Sequence, residues 1–175
     1  MSAWADSLKI GVIVFLAALW QVTILGDATV FGGTPDLLLV TLVGVALLRG
    51  ALAGAGAGFI GGLIVDTAYL QTLGLTSLVL TVAGFWTGRY AETTGRDRMY
   101  APLLSVAVVT VLATTGAFAL RFILGESPDA RLVFVDSLLP TTILNVLIAP
   151  FVFAAIRRAL PPARLTGAPE VQLLG

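Results

Sequence analysis

Charged residues fall in clusters along this chain, and between them lie six apolar stretches at 8–25, 35–49, 51–70, 73–90, 102–124 and 135–156. Their length and continuous apolarity predict helices that cross a bilayer, whose hydrocarbon core of about 30 Å asks for about 20 helical residues. Five of the six reach that length with modest tilt or extension. The second does not: Asp36 and Arg49 stand thirteen positions apart. This piece is expected to thin the bilayer, to let Arg49 snorkel to the interface, or to borrow 31–35 at its outer end; a re-entrant segment is the alternative.

Composition agrees with a membrane solvent. Apolar residues make up 58 % of the chain and charged residues 11 %, against roughly 25 % charge in soluble domains. Ten basic and ten acidic residues cancel, and no polybasic run points to nucleic acid. Cysteine and histidine are both absent, which removes thiol chemistry, disulfides and imidazole metal sites. With the N-terminus in the cytoplasm, Lys9, Arg49, Arg89, Arg96, Arg98, Arg157, Arg158 and Arg164 fall at cytoplasmic ends. Only Arg121 and Arg131 then lie outside, and Asp27, Asp36, Asp66, Glu126, Asp129 and Asp136 form an acidic outer rim. The expectation is an all-α integral membrane protein with six transmembrane helices, N-in and C-in. The first stretch reads as a retained anchor, since no small-x-small cleavage pattern follows Leu25. Residues 1–160 read as one membrane domain and 161–175 as a short cytoplasmic tail.

Along the third stretch, from the turn ahead of it, Gly50, Gly54, Gly58, Gly62 and Asp66 recur every four residues, widened into a smooth sector by Ala51, Ala53, Ala55, Ala57 and Gly61. Small residues at this spacing let another backbone approach closely, in a right-handed crossing. Two uses fit: packing inside the chain's own bundle, or docking of a partner's helix on Gly54, Gly58 and Gly62. Asp66 lies about 24 Å up the helix from Gly50, near the outer boundary. It reads either as a carboxylate capping the following loop or as one with a basic partner, with Arg121 the internal candidate and Asp136 and Glu126 competing for it.

The other polar positions read as structural. Pro35 precedes Asp36, which can accept the free amides at a helix start. Arg49 and Gly50 close the second span in a tight turn, with the arginine as an interfacial anchor. Arg89, between Trp86 and Tyr90, repeats the aromatic-plus-basic anchor. In the last span Pro140 and Pro150 are expected to kink the helix, and Asn145 can hydrogen-bond across helices. No paired titratable groups converge, Ser and Thr have no histidine to activate them, and no phosphate-cradling Gly-Lys-Thr motif occurs. The residues point to a non-enzyme without cofactor or metal.

Pro35 and Asp36 opening a short leucine-rich span, Arg49 and Gly50 ending it, a glycine-rich span closing on Asp66, and Leu73 and Gly74 leading to Gly88 and Arg89 together resemble the rod shape-determining protein MreD family. Asn145 and Pro150 ahead of Arg157 and Arg158 resemble that family's final helix. The resemblance implies a scaffold in the bacterial inner membrane that binds the bitopic protein MreC. Through MreC it would meet the MreB filament, the glycosyltransferase RodA and a class B penicillin-binding protein, and help regulate lateral peptidoglycan synthesis. That family is also similar in architecture to the substrate-capture subunits of energy-coupling factor vitamin transporters, which supplies the alternative function. Those subunits resemble one another in an alanine-x-x-x-alanine motif on the first helix, whereas Ala17 and Ala18 are followed here by Gln21 and Val22.

Overall fold

A computed structural model describes residues 3–26, 29–30, 32–94, 101–127 and 129–160. Asp27, Phe31, Arg96, Arg98, Arg164 and the tail 161–175 lie outside the described residues. Six α-helices make up the fold: α1 (Ala3–Trp20), α2 (Leu37–Arg49), α3 (Ala51–Ala68), α4 (Leu75–Thr94), α5 (Ala101–Ile123) and α6 (Leu138–Ala159). A π-helical turn, Gln21–Leu25, extends α1, and another, Leu132–Ser137, leads into α6. Each apolar stretch therefore becomes one helix, within a few residues of its expected bounds. By length and composition Trp4–Leu25, Ala51–Ala68, Pro102–Ile123 and Leu132–Ala159 can each cross a membrane.

The short second helix is the hub. All residues from Leu38 to Leu48 are buried, and α1, α3, α4, α5 and α6 all pack against α2. Its thirteen residues rise about 20 Å, which is short for a helix facing lipid and sufficient for one facing other helices. The length rule applies to lipid-exposed spans, and α2 is surrounded by protein.

The outer helices are inside-out relative to a soluble bundle. On α6, Leu139, Ile143, Leu147 and Phe151 recur every four residues and are exposed, while Asn145, Ala149 and Ile156 are buried. On α1 the exposed line is Leu8, Val12, Phe15, Leu16 and Leu19, and the buried one is Val14, Ala17 and Ala18. Large apolar side chains face outward because lipid accepts them; small or polar ones face inward, where backbones must approach.

The glycine periodicity resolves into a zip between α3 and α4. A Cβ built on Gly54 would strike the carbonyl of Gly84, and one on Gly84 would strike the carbonyl of Gly54. Gly58 lies against the Leu80 carbonyl, Gly62 against the Ser77 backbone, and Gly88 of α4 against Gly50 and Ala51. The Ser77 hydroxyl donates to the Phe59 carbonyl at 2.9 Å, a further tie across the pair. Gly61 points elsewhere, toward Leu38 of α2 and Val14 of α1. Gly50 sits at φ +91° in the connection from α2 to α3, a conformation that a Cβ strains, and this makes the abrupt turn possible.

The face expected to receive a partner's helix at Gly54, Gly58 and Gly62 is thus occupied by α4 of the same chain. A partner helix and an internal helix need the same small-residue pattern, and here the internal one fills it. Gly56, by contrast, has nothing within 4 Å of where its Cβ would be. Gly58→Ala is expected to lower stability by about 1–3 kcal/mol, because the added methyl meets a backbone carbonyl that has no rotamer to yield. Gly56→Ala should stay within about 0.5 kcal/mol of the parent. Thermal unfolding of both variants in detergent checks the pair.

Candidate functional site

Helix ends inside a membrane present amides that water does not reach, and the polar side chains of this chain converge on them. Asp66, at the end of α3, is fully buried. Its Oδ2 accepts from the amides of Gly74 at 2.9 Å and Ser77 at 3.3 Å, and its Oδ1 from Thr76 at 3.2 Å. The carboxylate therefore closes the start of α4. At the opposite end Glu92 of α4 does the same for α3, its Oε1 accepting from the Ala51 amide at 2.8 Å. Each helix of the antiparallel pair caps the other with a carboxylate near its own C-terminus.

A second set gathers at the start of α2. Asp36 caps its own helix, Oδ1 accepting from Leu39 N at 2.9 Å, as Pro35 and Asp36 had implied. The Asp36 amide donates to Asn145 Oδ1 at 2.7 Å, and Asn145 Nδ2 donates to Thr110 Oγ1 at 3.1 Å. Gln21 Oε1 accepts from Leu37 N at 2.8 Å while its Nε2 donates to the Pro35 carbonyl at 3.2 Å. Thr141 Oγ1 accepts from the Thr34 amide at 3.2 Å. Elements from α1, α5 and α6 thus hold the first turn of the central helix.

Other expected positions fall as follows. Arg121 does not reach Asp66; it donates to Gln71 Oε1 at 2.9 Å. Glu126 accepts from the Thr72 hydroxyl at 3.2 Å. Asp66, being buried, is not part of an exposed outer rim. Arg49 is not a lone interfacial anchor but pairs with Asp6 of α1 at 3.0 Å, its side chain 10 % exposed. Arg89 pairs with Glu92 at 3.2 Å in an exposed position. α6 continues as helix through Pro150. Pro140 follows the π-helical turn, and Gly33 packs closely against it.

Gln21, Thr110, Glu92 and Asp6 are the contributors that sequence reasoning missed. Gln21 and Thr110 are polar residues set singly in apolar stretches, which was the available signal. Glu92 and Asp6 looked like ordinary ends of spans, and nothing in spacing ties either to its partner about forty residues away.

Residues 7–158, which hold α2 to α5 entire and all but the outermost residues of α1 and α6, match the family model described as rod shape-determining protein MreD. The chain belongs to the MreD family. It is also similar to the cell shape-determining protein MreD of Streptococcus pneumoniae (strain ATCC BAA-255 / R6), at 31 % identity over 90 residues. That alignment covers 51 % of this chain, which spans about half, 54 %, of the relative's length. No solved structure matches the chain.

In this MreD-family chain, then, the residues behind the resemblance hold helix ends and helix contacts: Asp36, Gly50, Asp66 and Asn145 each satisfy or shape a buried backbone segment. Asn145→Leu leaves the Asp36 amide and the Thr110 hydroxyl without their partner, and the expected loss is about 1–3 kcal/mol. Asp66→Asn substitutes an amide for one of two accepting oxygens and should lower stability by a similar amount, about 1–3 kcal/mol. Unfolding midpoints of the purified variants, with no partner present, provide the measurement; unchanged midpoints would remove these networks from the account.

Proposed function

We propose that this protein is a non-enzymatic, multi-pass component of the bacterial inner membrane that serves in determining cell shape. In this reading it is a scaffold that binds the bitopic protein MreC. Through MreC it communicates with MreB, RodA and a class B penicillin-binding protein, helping to regulate lateral peptidoglycan synthesis. The observation that carries the reading is the family match over residues 7–158, nearly all of the helical bundle. The chemistry is compatible with it: Asp36, Glu92 and the buried Asp66 have carboxylate oxygens engaged by backbone amides, a role in holding helices rather than in moving protons.

All six helices span in this proposal, with both termini in the cytoplasm. Support comes from pairs that put basic ends together: Arg49 meets Asp6 near the start of α1, and Ala51 meets Glu92 near the end of α4. Those ends are enriched in Lys and Arg, as cytoplasmic ends are. Because the sequence has no cysteine, single introduced cysteines label without background. Ser127→Cys should react with an impermeant maleimide in intact cells, and Thr93→Cys only after the membrane is opened. The reverse pattern would invert the topology.

Purification from cells in mild detergent should recover MreC, and depletion should make rod-shaped cells widen and round. Normal width after depletion, or a wild-type preparation from which MreC is absent, would sink the scaffold reading; binding of a vitamin by the purified protein alone would instead favour the capture-subunit alternative.

A further inference from the structure

Two cavities adjoin at the contact between α4 and α5. One is an open groove of about 910 Å³ whose walls run from Leu78 to Tyr90 on α4 and from Leu104 to Leu120 on α5, almost wholly apolar. Seventeen residues of α5 amount to about 25 Å, most of a bilayer's hydrocarbon thickness. The other is a cavity of about 300 Å³ among α2, α4, α5 and α6, lined by Asp36, Thr110, Thr114, Arg121, Ser137 and Asn145 among others. Val79 and Ala113 belong to the walls of both. A long apolar groove thus lies beside a smaller chamber with part-polar walls, and α5 borders both, Gly116 and Leu120 facing the groove while Ala117 and Arg121 face the chamber.

The charges in the chamber are specific. Arg121 is partly buried, and among the described residues no carboxylate pairs with it; its neighbour is the neutral Gln71. A cation near the membrane with no counter-ion in its own chain points to one supplied from outside. Asp36 lends one oxygen to the start of α2, where the helix dipole offsets its charge, and lines the same chamber. Gly116 adds a shape argument: a Cβ there would meet nothing within 4 Å, so no contact inside the chain calls for the missing side chain.

We propose that the groove and chamber together form a binding site for one phospholipid, its acyl chains in the α4–α5 groove and its headgroup in the chamber. Arg121 holds the phosphate through charge-assisted hydrogen bonds. Asp36 accepts from a hydroxyl at the far end of a glycerol headgroup, a hydrogen bond that choline, which has no donor, does not make. The site uses none of the α3–α4 interface and stands independently of the identity of any protein partner.

Native mass spectrometry of the full-length protein in detergent tests this with phosphatidylglycerol, phosphatidylcholine and soluble glycerol phosphate. Phosphatidylglycerol adducts should persist at collision energies that strip phosphatidylcholine, and glycerol phosphate alone should give none. Arg121→Gln should weaken phosphatidylglycerol retention about tenfold, the size expected for one charge-assisted contact. Gly116→Leu, which puts a side chain into the groove from a position where a Cβ meets nothing, should weaken it too while leaving the thermal midpoint unchanged. Equal retention of both lipids with no effect of Arg121→Gln would mean a non-specific lipid shell and overturn the proposal. Retention of glycerol phosphate as strong as that of the lipid would remove the groove from the site and overturn it as well.

Discussion

Every helix that ends in or near a bilayer leaves backbone amides where no water can accept from them, and an unmet amide there costs several kcal/mol. That constraint accounts for the polar side chains that hold the helix starts, the buried Asp66, Gln21 and Asn145 among them. Asp66 meets the first amides of α4, Glu92 the first amide of α3, and Asp36 with Gln21 and Asn145 the first turn of α2. The acceptors come from different helices, so satisfying a helix start also fixes which helices lie side by side. Capping and tertiary structure are here one set of contacts.

The glycines act within that frame. Lipid provides no hydrophobic drive for two helices to associate, so close contact must do it, and contact is closest where side chains are absent. Gly54 and Gly84 bring α3 and α4 backbone to backbone, and the carboxylates at the two ends of the pair set its register. A slip of α4 by one turn would take both caps away and set Leu80 where Gly84 now faces Gly54. The hairpin is therefore specified at three places along its length. The central α2 can be short because this hairpin, together with α1, α5 and α6, relieves it of facing lipid.

What the residues revealed in advance follows from how local each contact is. Six helices, the Asp36 cap and the Gly50 turn depend on neighbours in sequence and were legible. Asn145 was legible as a polar group that must bond across helices, although its partners, the Asp36 amide and Thr110, were not. The outward docking face at Gly54, Gly58 and Gly62 illustrates a limit with a physical origin. Backbone approach demands small residues whichever chain supplies the other helix, and the sequence pattern is the same for both. Arg121 marks a second such limit: charge alone proposed Asp66, but burial had already committed that carboxylate to three amides, and Gln71 stands nearer.

Space around the missing side chains separates what spacing could not. Gly54, Gly58, Gly62, Gly84 and Gly88 are closed by backbone atoms of a facing helix. Gly11, Gly56 and Gly116 have nothing within 4 Å, so packing inside the chain does not account for them. The first group is explained by the fold alone and tolerates no side chain. The second has room for a Cβ, so contacts inside the chain do not call for glycine there. At Gly116 the open space borders a groove, one helical turn from an arginine that has no ion-pair partner among the described residues. The same residue type, at similar helical positions, thus marks a backbone contact in one group and open space in the other.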